Sequence, residues 1–217
     1  VHKQHSIFLK AILSGIYIAI AGVTYLVVSD MTGSKLIGAL LFSLALLVIC
    51  NRGYYLYTGK IGYLLPYKKG GLKMIGQTLA GNFVGIVIVV LMIFLAGVPN
   101  ITELAKVAVD HKLDNTWYEI IGLSFFCGIL MYTAVDGFYN IKSDFGKNII
   151  VILSVVVFIV AGFEHCIANI AYFMLAKTIS LKVVLYFILM VIGNAMGAIL
   201  INLLHERIKK ESSEAVN

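Results

Sequence analysis

Charge is what this sequence has least of. Asp, Glu, Lys and Arg make up only 13% of its 217 residues while 60% are hydrophobic, and the mean hydropathy of +0.96 lies far outside the range of soluble domains. The three cysteines, Cys50, Cys127 and Cys166, all lie inside apolar runs. Their odd number and their spacing exclude a disulfide framework and a CxxC metal site, which leaves them as buried thiols. The net charge of +6 comes from scattered lysines. No arginine-rich or aromatic-interleaved patch is present to follow a phosphate backbone, so nucleic acid is not an expected partner. There is no HExxH, no Ser-Lys or Asp-Asp pairing of an intramembrane protease, and no second midplane histidine for a bis-His haem. An enzyme is therefore not expected, nor is a cofactor or a metal.

What is there is apolar sequence in long runs. At ~20 residues per crossing the chain has room for about six spans and little else, so an all-α membrane protein is expected, a single transmembrane channel domain over 1–217 with the lipid bilayer as its partner. The first span is predicted over Ile7–Val28. It lacks a small-residue cleavage pattern and is kept as a span rather than a signal segment; the start at Val1 rather than Met leaves native residues before it as an expectation. The second run, Leu36 to Leu65, would be ~45 Å long as one helix against a ~30 Å hydrocarbon core. It has to tilt or break, and Asn51–Lys60 supplies glycines, hydroxyls and charge for a break. The third span is predicted over Met74–Ala96, followed by a polar connector over 98–116 that is partly helical, and a fourth span over Trp117–Tyr139. The fifth run, Ile149 to Ala176, is again overlong and again interrupted, at Gly162–His165. A sixth span follows over Val183–Leu204, with a charged tail expected to fray from His205.

Lys and Arg at both ends and in the even connectors, among them Lys3, Lys68, Lys69, Lys142 and Lys147, outnumber those in the odd connectors. This places both termini in the cytoplasm. The interrupted runs also repeat. Gly53 is followed 28 residues later by Gly81-Asn82-x-x-Gly85, and Gly162 is followed 31 residues later by Gly193-Asn194-x-x-Gly197. Three spans per half is an odd number, so the halves, about 7–97 and 117–205, enter the membrane in opposite senses as inverted repeats. Interrupted helices at matching places in such halves point to a midplane translocation site. The Gly-x-x-x-Gly spacing itself is assigned to close helix packing.

The second break carries the chemistry. Gly162-Phe163-Glu164-His165-Cys166-Ile167-Ala168-Asn169 sets an acid and an imidazole side by side in an apolar run. A charge at the centre of a membrane helix costs at least ~2.5 kcal/mol, so such groups face a protein interior or a cavity and are candidates for function. A pore-lining site is preferred to a satisfied core histidine. Arg52 and Asp136, the other charges at depth, are assigned to a mutual ion pair or a loop anchor, and His5, His111 and His205 to solvent.

These residues resemble the formate/nitrite transporter family. The fifth-span motif Gly-Phe-Glu-His-x-Ile-Ala-Asn is complete at Gly162–Asn169, and the second-span motif, often Gly-Ala-Glu-Leu-Phe-Thr-Gly-Asn, reads Gly53-Tyr-Tyr-Leu-Tyr-Thr-Gly-Lys60. The resemblance covers nearly the whole chain. It implies an aquaporin-like fold, a homopentamer with one pore per protomer, and passage of small monovalent anions such as formate, nitrite or hydrosulfide across a bacterial or archaeal cytoplasmic membrane. It further implies His165 as the central pore histidine, Thr58 as its partner, Leu56 and Phe163 as apolar constriction residues, and Lys112 and Lys10 as vestibule lysines. Gly53, Gly59, Asn82, Glu164, Asn169 and Asn194 are structural residues at the pore, with Glu164 expected to accept backbone amide hydrogen bonds. Tyr55, Lys60 and Tyr132 depart from the family pattern, which has an acid, an Asn and an Asn there. These changes reshape the first loop and leave hydrosulfide open beside formate and nitrite. Aquaporin Asn-Pro-Ala boxes are absent.

A bare anion crosses an apolar constriction at high cost, whereas a weak-acid anion can be neutralised for the crossing. Histidine titrates near ~6.5 when unperturbed; burial lowers this and an adjacent carboxylate raises it. His165 can therefore act as a hydrogen-bond donor or a proton donor, with the Thr58 hydroxyl beside it. A channel for a neutral solute or for ammonia or ammonium is the alternative, since such pores also use central histidines and inverted repeats.

Overall fold

A computed structural model describes residues 2–67 and 69–215 of the chain. Lys68 and the side chains of Lys3 and His5, which entered the charge count and the solvated-histidine reading, lie outside the described residues. The fold is helical throughout, with no strand among the described residues. The elements are α1 (His2–Thr32), α2 (Lys35–Arg52), α3 (Tyr57–Lys60) with a 3-10 turn (Ile61–Leu64), α4 (Gly71–Ala96), α5 (Ile101–Leu113), α6 (Trp117–Asn140), α7 (Asp144–Val160), α8 (Cys166–Leu175) and α9 (Leu181–Glu214). Five helices, Ser6–Thr32 within α1, α2, α4, α6 and α9, are long and apolar enough to cross a membrane. The remaining apolar run is divided between α7 and α8.

Both overlong runs break where the sequence offers glycine. Gly53 ends α2 with φ 62° and Gly162 follows α7 with φ 74°, a left-handed conformation that costs any residue with a Cβ roughly 1–2 kcal/mol. The helix ends are closed by the same pair of backbone bonds: Gly53 N–H to Cys50 O and Tyr54 N–H to Ile49 O, then Gly162 N–H to Ile159 O and Phe163 N–H to Phe158 O. These satisfy carbonyls that would otherwise be orphaned in an apolar setting. The chain then runs extended through Leu56 and through His165 before α3 and α8 begin.

The long helices meet in pairs at near-backbone distance. A Cβ on Gly85 would collide with the Ile12 carbonyl of α1, and one on Gly197 with the Phe125 carbonyl of α6. Lipid tails provide no hydrophobic drive for helices to associate, so this close packing is what holds α1 to α4 and α6 to α9. Outer faces bearing Leu44, Leu91, Leu95 and Ile188 remain exposed, as a lipid-facing surface requires. The three cysteines are buried free thiols.

Two expectations need correction. The charged tail does not fray: α9 continues to Glu214, supported by Arg207–Glu211 at 2.6 Å and Lys210–Glu214 at 3.8 Å, both with i,i+4 spacing. Of the two assignments left open for Arg52 and Asp136, the mutual ion pair is not formed among the described residues, and the loop anchor holds for Asp136. The Asp136 carboxylate instead lies 3.1 Å from the Tyr63 hydroxyl, 3.2 Å from that of Tyr132 and 3.5 Å from His205 Nδ1, so it anchors the 3-10 turn. His205 is accordingly half-buried against the Tyr132 ring rather than solvated. The connector forms a 13-residue helix, α5, whose buried Ile101, Ala105 and Val109 recur every fourth residue on one face.

Candidate functional site at the two helix breaks

Breaking a helix in an apolar interior frees backbone donors and acceptors, and two asparagines satisfy them. Asn82 of α4 accepts the Tyr57 N–H through Oδ1 at 2.9 Å and donates through Nδ2 to the carbonyls of Tyr55, at 2.9 Å, and Ala11, at 2.8 Å. Asn194 of α9 accepts the Cys166 N–H at 2.9 Å and donates to the carbonyls of Glu164, at 2.8 Å, and Ser124, at 2.7 Å. Both amides are fully buried and use their polar atoms in the same way. Each links a break to its own helix and to a third element, α1 or α6.

Between the breaks the structure brings Thr58 and His165 together, Oγ1 to Nε2 at 2.9 Å, with Thr58 0% and His165 2% exposed. His165 also caps α8: its Nδ1 accepts the Ala168 N–H at 3.2 Å. That bond fixes the tautomer. An Nδ1 that accepts carries no proton, so a neutral imidazole is protonated at Nε2 and donates to the Thr58 oxygen. The Thr58 hydroxyl hydrogen is left for another acceptor. An imidazolium would have to release the cap.

Glu164 does not have the role expected of it. Its Oε2 accepts from Lys112 Nζ at 2.8 Å and from Asn169 Nδ2 at 2.7 Å, while the backbone around it is held by Asn194. A carboxylate only 3% exposed needs a counter-charge, and one from the last turn of α5 reaches it. Lys112 is thus ion-paired rather than free, with its ammonium 5.8 Å from the Tyr172 ring centroid. The other amide oxygen, Asn169 Oδ1, is buried without a hydrogen-bond partner.

Leu56 is buried beside a small cavity of about 10 Å³ that it shares with Ile49, Cys50, Tyr54, Gly59, Lys60, Val135 and Tyr139, roughly room for one water-sized group. A Cβ on Gly59 would press on Val135. Phe163 stacks on Phe126, centroids 5.2 Å apart. Lys10 lies on α1 with its ammonium 6.0 Å from the Tyr55 ring centroid. Among the described residues, no group of three His, Cys, Asp or Glu side chains could hold a metal.

The sequence model of a family described as formate/nitrite transporter matches residues 2–206. The chain belongs to that family. Relatives include the formate channel FocA of Haemophilus influenzae, 30% identical over 181 residues, covering 75% of this chain and 63% of the relative. FocA of Escherichia coli is 31% identical over 184 residues, with the same shares of 75% and 63%. The chain therefore spans under two thirds of the length of these relatives. A solved structure of a pentameric formate channel with formate bound is 27% identical and superimposes with a TM-score of 0.81, covering 96% of this chain and 98% of that one. The fold and the apolar helices together make this an integral membrane protein, as the family's members are.

Two features escaped sequence reasoning. Asp136 bonds to a residue 73 positions away, and no local pattern announces it. Lys60 was visible only as a departure from the family motif. The signal was there, since a lysine directly after Gly59, inside an apolar run, is as unusual as the Glu164-His165 pair.

Proposed function

We propose that this protein is a transmembrane channel or transporter for small monovalent weak-acid anions, formate, nitrite or hydrosulfide, with the Thr58–His165 contact as its central polar element. The single observation that carries this reading is that contact: a buried hydroxyl–imidazole pair at 2.9 Å formed between two helix breaks, with Leu56 and Phe163 as apolar constriction residues. In its capped tautomer the pair offers the Thr58 O–H to a passing anion, and donation by His165 Nε2 strengthens that hydroxyl as a donor. This stabilises the anion without protonating it. Proton transfer requires the imidazolium and hence release of the Ala168 cap, so acidic conditions favour passage as the neutral acid.

The surrounding architecture in this proposal is two inverted three-span halves, aquaporin-like, within one channel domain over 1–217. Matching use of Asn82 and Asn194 supports it. Both termini face the cytoplasm of a bacterial or archaeal cell, and five copies assemble as in the related pentameric formate channel. Lys10 attracts anions into one vestibule, and Lys112, paired with Glu164, lines the other.

Proteoliposome flux tests the reading, with formate, nitrite, hydrosulfide and chloride compared under a pH step for wild type and His165→Asn. Weak-acid anions should pass, chloride should lag, and the substitution should flatten the pH profile. Passage of ammonia or urea with none of the anions would sink it.

A further inference from the structure

The family resemblance leaves Lys60 without a role, and its surroundings suggest one. Lys60 closes α3, two residues after Thr58, and lines the cavity that holds Leu56. Its Nζ is 5.1 Å from the Tyr55 ring centroid and 5.3 Å from that of Tyr139, and Lys10 Nζ approaches the same Tyr55 ring at 6.0 Å. Among the described residues, neither ammonium has a carboxylate within 4.0 Å, whereas Lys112 has Glu164 at 2.8 Å. Two cations sharing one aromatic ring at membrane depth repel each other, and the ring quadrupole offsets only part of the cost. An anion held between them would remove the repulsion.

The position matters as much as the charge. Tyr172, which carries Lys112 over its ring, packs on Gly22 of α1. Gly22 lies twelve residues beyond Lys10, ~18 Å along the helix at 1.5 Å per residue. Lys10 and Lys60 therefore serve one approach to the Thr58–His165 contact, and Lys112 the other.

We propose that Lys60 and Lys10 form a binding site for a small monovalent anion held by their two ammonium groups beside Tyr55, clear of the face of its ring and outside Leu56. The site makes this approach the one that concentrates anions, because the opposite lysine is neutralised by Glu164. The role in conduction rests on the pore reading above; the binding site itself does not.

The test has two readouts on the full chain. In bromide-soaked crystals, anomalous density should lie within contact of the Lys60 and Lys10 ammonium groups beside Tyr55 in wild type and vanish in Lys60→Gln. In proteoliposomes at low formate and low ionic strength, Lys60→Gln should cut formate flux roughly tenfold, the deficit should shrink as added salt screens the site, and Lys60→Arg should restore flux. A wild type with the bromide peak but no anion flux would uphold the site and remove the pore. A wild type that conducts but shows neither the peak nor a salt-sensitive deficit in Lys60→Gln would overturn the site and leave the pore standing. A deficit equal at every salt concentration, without the peak, would also overturn it.

Discussion

The two helix breaks share a skeleton and differ in almost everything attached to it. Each begins at a glycine in the left-handed region, closes the preceding helix with two backbone bonds, and passes its freed amide and carbonyl to a buried asparagine from a later helix. At the positions those asparagines define, Tyr55 stands in the first break where Glu164 stands in the second, and Leu56 where His165 stands. The first break carries Lys60 with no carboxylate beside it among the described residues. The second carries an acid, an amide and a lysine in one hydrogen-bonded group. Backbone conformation here depends on the asparagines and glycines, which leaves the intervening side chains free to set charge.

The strongest way to break this comparison is to remove the asparagines. Asn82→Ala and Asn194→Ala should each destabilise the fold by at least ~3 kcal/mol, since both leave buried backbone groups unpaired. Unfolding in mixed micelles, followed by circular dichroism, should give similar losses for the two; a cost confined to one would show that the breaks are not held alike. The lysines should separate the breaks instead. Lys112→Ala strands the Glu164 carboxylate and should cost ~3–5 kcal/mol, whereas Lys60→Ala removes ring contacts alone and should stay within ~1 kcal/mol. Equal losses would mean that Lys60 has a structural partner in solution. Gly53→Ala and Gly162→Ala should fall between the two lysine substitutions, at ~1–2 kcal/mol each for forcing a Cβ into a left-handed backbone. Alanine meets open space at both positions, so a larger loss at either would have to come from the backbone.

Much of this was legible in the sequence because it is local. The overlong runs and their glycines located both breaks, and Gly162–Asn169 carried the longest and most specific part of the family resemblance. The spacing of Gly81, Gly85, Gly193 and Gly197 announced tight packing, which the helix pairs display. What was not legible depends on partners brought together from afar. Glu164 looked like an acceptor for nearby amides, but Asn194 Oδ1 accepts the Cys166 N–H from 28 residues away, and the partner of Glu164 is Lys112, 52 residues distant. Helical periodicity cannot specify either contact. His205 was misplaced for the same reason, and for Asp136 the choice between an ion pair and a loop anchor stayed open, because their environment is assembled from α6, α9 and the 3-10 turn.

The ion pair between Lys112 and Glu164 has a mechanical side. Lys112 belongs to α5, a helix that lies outside the spans and rests on the rest of the molecule through Ile101, Ala105 and Val109. Glu164 sits next to His165, whose ring caps α8. A displacement of α5 large enough to withdraw Lys112 would leave the buried Glu164 carboxylate without its counter-charge, held by the Asn169 amide alone among the described residues. A helix outside the spans is thereby fastened by one ion pair to the break that carries His165, so that a force on α5 would be carried to that break.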